Sequence, residues 1–488
     1  MLDRKAWQVT AGSAVVGLLA AAGAVAAAGP WDGGQRRAER AWAAGQGGAG
    51  GAQHGAPAPG AAAPKPAPSA GPVLTALGDG EGSGRSTGDP AGSGDGTHTH
   101  TGAQAEADEA PMGLGKALGP LLADPALGTA SGCVVDVATG KRLYAKNADR
   151  PMTPASTVKL ATMTAALSAV GPGHRIPTTV VADGGDDGRI TLVGGGDPSL
   201  DREALGTLAD DTARALKKKG VHKVRLGYDV SLYSGPRVHP IGRNENIAPV
   251  VALTLNEGRL DKSTGGPALR SNDPAGDTAK AFARLLHARG ITAATASAPA
   301  KAPKDAERLA VSYSAPISDL IERALTDSDN DIAEAMARQT ALAKHLPASF
   351  AGGAKAVREQ LAKIGMPLKG TVFNDGSGLN RKDKVTANLL TSLLTRDADP
   401  AHPRLRSVLT GLPIAGFRGT LLGRYAHEAP ADGLIRAKTG TLTGVNTLAG
   451  TVVDANGRLL AFAFMANGTP NPTTAEAALD KVSTVLLP

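Results

Sequence analysis

Leu160, Met163, Leu167 and Val170 recur three to four residues apart, and that spacing predicts a helix running to about Val170. Thr153 is a suitable N-cap for it. Pro154 suits the first helical position, where a missing N–H costs nothing. Just ahead, residues 133–137 read as a strand, 138–141 as a turn and 142–145 as the returning strand. From 181 to 274 the texture changes to Gly, Asp and Pro with short apolar runs at 190–193 and 250–255. One helical pattern there, 205–219, is followed by a strand-like run at 221–226. This stretch reads as an inserted α/β module, after which a helix at about 278–289 returns the chain to the main unit. Helical patterns at 317–324 and 332–343 flank a polar connection, 326–330. Residues 434–440 form a strand, and 446–453 and 459–465 a hairpin around Asp454-Ala-Asn-Gly457. An amphipathic helix, 474–487, closes the chain. The sum is an α/β (α+β) chain with about five antiparallel strands and two helices free to cover a face.

At 488 residues the chain suits two or three units, and its formal net charge of +7 is modest. The basic residues form no long run, so no nucleic-acid partner is expected. Cys133 is the only cysteine, which excludes an internal disulfide and reads as a small buried strand residue. Residues 6–31 carry no charge, follow Arg4 and Lys5, and predict an export signal. Ala26-Ala27-Ala28 would suit cleavage, whereas Trp7 and Trp31 would suit retention as a membrane anchor. Residues 32–112 are dominated by Gly, Ala and Pro and have too few large apolar side chains to offset ordering entropy. They read as a tether, His98 and His100 included. The organisation expected is therefore 1–31 signal or anchor, 32–112 linker, 113–180 with 275–488 the main domain, and 181–274 an insert.

Three short patterns carry chemistry. Ser156 lies in the first turn of its predicted helix, where N–H groups lack partners, and Lys159 follows one turn later on the same face. A serine hydroxyl becomes a nucleophile when a neighbouring base takes its proton, and a desolvated lysine can serve. Ser328 and Asn330 sit at i, i+2 in the inter-helix connection. Lys438, Thr439 and Gly440 end a strand, with a glycine that permits close approach. Taken singly, each has a plain structural reading: a capping serine and solvated lysine, a cap at Ser328 or Asp329, an exposed strand lysine. Together they gain weight, because Ser-x-x-Lys, Ser-x-Asn and Lys-Thr-Gly each occur once, in this order. That is the signature set of class A β-lactamases and penicillin-binding proteins.

The chain resembles D-alanyl-D-alanine carboxypeptidases of the peptidase S13 (penicillin-binding protein 4, DacB-like) family. The resemblance rests on Met152-Thr-Pro-Ala-Ser-Thr-Val-Lys-Leu160, Leu192-Val-Gly-Gly-Gly-Asp-Pro198, Leu232-Tyr-Ser-Gly-Pro236, Asp327-Ser-Asp-Asn330, Asn374-Asp-Gly-Ser-Gly-Leu379, Leu412-Pro-Ile-Ala-Gly416 and Arg436-Ala-Lys-Thr-Gly-Thr-Leu-Thr-Gly444. It implies a penicillin-binding, β-lactamase-like transpeptidase fold: a five-stranded antiparallel sheet flanked by helices, a helical region and an insert between the first two motifs. It also implies roles. Ser156 attacks the penultimate D-alanine carbonyl, Lys159 handles its proton, and Ser328 relays one to the leaving amine. Asn330 holds the substrate amide, Lys438 supplies positive charge near the terminal carboxylate, Thr439 and Thr441 hydrogen-bond it, and Gly440 is a further substrate-binding residue. The N–H groups of Ser156 and Thr441 make an oxyanion hole. The substrates implied are peptidoglycan stem peptides, with β-lactams as inhibitors. The place implied is outside a bacterial cytoplasmic membrane, anchored or secreted to the wall.

Asp229 and Tyr233, beside Leu232-Tyr-Ser-Gly-Pro236, are candidates for reading the side chain of the stem peptide, or else a turn aspartate and a half-buried tyrosine. This chemistry needs no metal or organic cofactor. The competing readings are a β-lactamase or esterase on the same scaffold, and a non-catalytic wall-binding or β-lactam-sensing protein.

Overall fold

Side chains along the central strands alternate between two apolar layers, and that parity builds the main domain. The computed structural model describes residues 112–183, 188–296, 298–425 and 429–488. The expected signal or anchor, and all but the last residue of the expected linker, lie outside the described residues. The chain opens with α1 (Met112–Leu121), then β1 (Thr129–Asp136), β2 (Arg142–Lys146) and α2 (Lys159–Val170). It continues through β3 (Pro177–Ala182), β4 (Arg189–Gly194), α3 (Arg202–Lys218), β5 (Lys223–Asp229), α4 (Pro274–His287), β6 (Thr292–Thr295) and β7 (Glu307–Tyr313). There follow α5 (Ile317–Thr326), α6 (Asn330–Ala343), α7 (Phe350–Lys363), α8 (Ala387–Ala398), β8 (Arg436–Leu442), β9 (Val445–Val453), β10 (Leu459–Asn467) and α9 (Pro472–Thr484).

The first sheet has the order β2-β1-β10-β9-β8, antiparallel throughout. Cys133, Val135, Ala461, Ala463 and Met465 face a core shared with α2, α5, α6, α7 and α8. Val134, Leu448, Phe462 and Phe464 face the other way, against α1 and α9. The five antiparallel strands and the closing helix are those the sequence predicts, and Cys133 is a fully buried free thiol. The strand next to the cleft, β8, is a sheet edge, so one side of its backbone is left for a ligand.

The second sheet, β6-β5-β4-β3-β7, is mixed. Strands β4, β5 and β6 run parallel, with α3 and α4 as crossovers; Phe282 and Leu286 of α4 share a core with Val224 and Leu226 of β5. This module spans 177–313 rather than 181–274. The helix expected to return the chain to the main unit, α4, instead belongs to the module, because β6 and β7 still have to follow it. Between β5 and α4 a long irregular segment leaves the module and reaches the α5–α6 connection.

The start of α2 also differs from expectation. Residues Ala155–Val158 form a 3-10 turn ahead of the α-helix. Thr153 makes no capping bond; its N–H donates to Asn467 Oδ1 at 2.9 Å. Ala155 takes φ +48°, in the left-handed region, with Asn467 Nδ2 donating to the Thr153 carbonyl at 3.1 Å to hold the entry. In a 3-10 turn, side chains at i and i+3 eclipse, which sets Lys159 directly in line with Ser156.

Candidate active site

Three chain segments meet around the Ser156 side chain. The amine of Lys159 lies 2.9 Å from Ser156 Oγ, 2.7 Å from Asn330 Oδ1 and 2.8 Å from the Ser377 carbonyl oxygen. Asn330 Nδ2 donates to the Asn246 carbonyl at 3.0 Å, which fixes its oxygen toward the lysine. Two of the three partners of Lys159 are therefore pure acceptors. As a neutral amine Lys159 donates to both and turns its lone pair to the Ser156 hydroxyl. Lys159 is fully buried, and burial pulls its pKa down to about 8 against the opposing charges of Asp375, Asp329, Glu334 and Asp331.

The α5–α6 connection supplies the second segment. Asp329 caps α6, its Oδ1 accepting the Ile332 N–H at 2.9 Å. The capping role and the active-site role thus fall on adjacent residues, and Ser328 takes φ +57°. Ser156, Ser328, Asn330, Thr439 and Thr441 line one cavity of about 430 Å³.

The third segment is β8. Gly440 lets the strand lie on the nucleophile turn: a Cβ there would meet Thr447 Oγ1, Pro154 O at 2.7 Å and Ser156 N at 3.0 Å. Thr439 and Thr441 point into the cavity. Their hydroxyls meet Thr420 Oγ1 at 2.7 Å and Glu476 Oε1 at 3.0 Å respectively. Lys438 is fully buried behind the strand and does not line the cavity; its amine donates to the Thr439 carbonyl at 2.8 Å. Burial, and then the charge of Lys159, hold its pKa well below the usual lysine value. Arg259, Arg270 and Arg424 are among the residues that line the cavity.

Asp229 and Tyr233 are not part of this cavity. Asp229 accepts the Ser231 N–H at 2.7 Å and the Ala302 N–H at 2.8 Å, so both carboxylate oxygens brace a turn at the end of β5. Tyr233 donates to the Gly196 carbonyl at 3.3 Å, and the Arg338 guanidinium lies 5.5 Å from its ring centre. The polar atoms of both residues are engaged by backbone groups of the protein itself.

The sequence reading assigned no part to a buried polar layer under Lys159. Glu334 Oε1 accepts the Gly376 and Ser377 N–H groups, both at 3.0 Å, and Oε2 accepts from Arg338 Nη1 at 3.0 Å. Its spacing from Arg338, one turn along α6, is the signal available in the sequence. Beside Asp329 and Asp331, Glu257 occupies left-handed backbone at φ +53° and bonds Arg259 at 2.9 Å and Arg323. Arg270 pairs with Asp331 at 3.0 Å. Burial first, then neighbouring carboxylates, push Glu257 up to about 8. Asp331 rises to about 7, again mainly from burial.

The model of the D-Ala-D-Ala carboxypeptidase 3 (S13) family matches residues 114–266 and 259–486. A carboxypeptidase of Mycobacterium tuberculosis is 36% identical over 385 residues, covering 75% of this chain and 82% of the relative. Carboxypeptidase DacB of Mycolicibacterium smegmatis is 36% identical over 391 residues, covering 77% and 84%. Among solved structures, penicillin-binding protein 4 from Haemophilus influenzae superposes with a TM-score of 0.64 at 24% identity, covering 76% of this chain and 98% of that one. At that identity the match speaks for the fold, which is that of penicillin-binding protein 4. Sequence, site and fold agree, and the chain belongs to the D-Ala-D-Ala carboxypeptidase 3 (S13) family.

Proposed function

We propose that the chain is a serine-type D-Ala-D-Ala carboxypeptidase acting on peptidoglycan stem peptides through an acyl-enzyme on Ser156, and that β-lactams acylate the same hydroxyl. The observation that carries this reading is the Lys159 amine, held by two acceptors with its third direction on Ser156 Oγ.

Neutral Lys159 takes the Ser156 proton as the oxygen bonds to the penultimate D-alanine carbonyl carbon. The carbonyl oxygen, now negative, rests between the N–H groups of Ser156 and Thr441; one such donor contributes on the order of 3 kcal/mol to lowering the barrier. The C–N bond then breaks, and the departing D-alanine amine receives a proton passed from Lys159 through Ser328. Asn330 holds the substrate amide. Thr439 and Thr441 meet the terminal carboxylate, with Lys438 behind the strand. Water, deprotonated by the same lysine, cleaves the ester and restores Ser156. A cross-linked stem presents the same carbonyl with a different amine behind it, so endopeptidase action uses the same steps.

The substrate lies outside the cytoplasmic membrane. The uncharged 6–31 segment after Arg4 and Lys5 supports export and attachment there, and 32–112 supports a tether. Among the described residues no helix is long and apolar enough to cross a membrane. Mass spectrometry of the purified protein with a peptide ending in D-Ala-D-Ala tests the activity. Release of one D-alanine, and a penicillin adduct on Ser156, are expected; neither product appearing would overturn the reading.

A further inference from the structure

Behind Lys159 lies a chain of hydrogen bonds that ends on a histidine from outside the three motifs. The carbonyl that accepts from Lys159 belongs to the Ser377–Gly378 peptide, and the N–H of that peptide donates to Asp375 Oδ1 at 2.7 Å. In a planar trans peptide the C=O and N–H point in opposite directions. Anchoring the N–H on Asp375 therefore aims the carbonyl at the lysine.

Asp375 is itself held. Its Oδ2 lies 2.8 Å from His239 Nε2 and accepts the Asn380 N–H at 2.8 Å. His239 Nδ1 accepts the Ile241 N–H at 3.2 Å, so the ring proton sits on Nε2 and is donated to the carboxylate. The ring is fully buried and meets Phe350 edge-on, with centroids 5.2 Å apart. One ring nitrogen of His239 and one carboxylate oxygen each of Glu334 and Asp375 lie within 4.8 Å of one another, and each of these side chains is engaged with the 374–380 turn or with a partner of it.

We propose that His239 and Asp375 are positioning residues for the base: the histidine fixes the carboxylate, the carboxylate fixes the Ser377–Gly378 peptide, and its carbonyl aims the Lys159 lone pair at Ser156. This rests on the acyl-enzyme reading above. His239 comes from the irregular segment between β5 and α4, as does Asn246, whose carbonyl sets the Asn330 amide. Both acceptors of Lys159 are thus aimed from the same stretch of chain.

The test is the rate of acylation by a fluorescent penicillin at several concentrations, for the full chain and two variants. H239F keeps the ring and its packing but removes the donor. H239Q retains an N–H at the place of Nε2. We expect H239F to lower the saturating acylation rate about tenfold or more, with little change in the half-saturating concentration. H239Q should restore the rate to within about threefold of the parent. Equal rates for the parent and H239F, or equal losses in H239F and H239Q, would overturn the proposal. An unreactive parent protein would instead overturn the acyl-enzyme reading. Should H239F not fold, the Nε2–H resonance of His239 in 15N-histidine-labelled parent protein decides. It is expected to move when Ser156 is acylated, and a fixed resonance would sink the idea.

Discussion

Gly440 lies against the backbone of Ser156 so closely that a methyl group on its Cα would stand 3.0 Å from the serine nitrogen. The edge strand and the nucleophile turn are therefore in register only while position 440 has no side chain. G440A should push β8 off the turn, costing about 1–3 kcal/mol of stability by overpacking. Its penicillin acylation should fall more steeply than its stability, because Thr441 moves with the strand. Thermal melting and acylation rates measured on the same preparation check this; an unaltered rate would refute it.

Ser156→Ala should leave the melting temperature unchanged and abolish covalent penicillin labelling. Stoichiometric labelling of the alanine variant would mean that another residue is the nucleophile.

Acylation should rise with pH. Burial holds Lys159 down to about 8, only partly offset by Asp375, Asp329, Glu334 and Asp331, and the neutral amine is the active form. The rate should climb through about pH 8 and level off above it. At pH 6 it should be roughly a hundredth of the plateau. A flat profile from pH 6 to 9 would contradict the role of Lys159 as base.

Asp383 accepts the Asn374 N–H at 2.6 Å on one oxygen, while burial, followed by the charge of Asp375, pushes its pKa up to about 9. Its side chain also contacts the Asp375 carboxyl, a contact that needs a proton between the two. A carboxyl with its folded pKa raised stabilises the protein fully below the unfolded value and loses that contribution as pH rises through the folded one. D383N reproduces the protonated form, with an amide N–H toward Asp375. It should melt with the parent below about pH 4, and increasingly above it as pH rises from there to about 9. Parallel melting curves at all pH values would argue against a proton at this site.

Glu476 accepts from the Thr441 hydroxyl at 3.0 Å and lines the same cavity. A substrate carboxylate reaching Thr441 must break that bond and tolerate a like charge. E476Q keeps the shape and removes the charge, so KM for a D-Ala-D-Ala peptide should fall by about twofold to tenfold with kcat little changed. A higher KM would show that Glu476 assists binding.

The parts of the fold legible in the sequence are those where local signals and packing agree. The β9–β10 hairpin has its Asp454–Gly457 turn, with Gly457 at φ +74°, and α2 has its apolar spacing. The three motifs could be found because Ser-x-x-Lys, Ser-x-Asn and Lys-Thr-Gly each occur once in the chain, in this order. The 3-10 turn at Ala155–Val158 could not, since its geometry is imposed by Asn467, more than three hundred residues away. The end of the second module was hidden for a different reason. Strand β6 is short with no fully buried position, and in β7 only Ala310 is buried. The run 374–379 was visible as a pattern, but its work is done by backbone groups, which no residue type announces.

The long excursion between β5 and α4 bears on any attempt to build a smaller acylase from this chain. Cutting out 177–313 would leave Ser156, Lys159, Ser328, Asn330 and Lys438 untouched, yet would take away Asn246 and His239. Such a minimal version inherits the reactive groups without the scaffolding that steers them. A small molecule lodged under that loop could disarm the enzyme without entering the crevice where antibiotics compete.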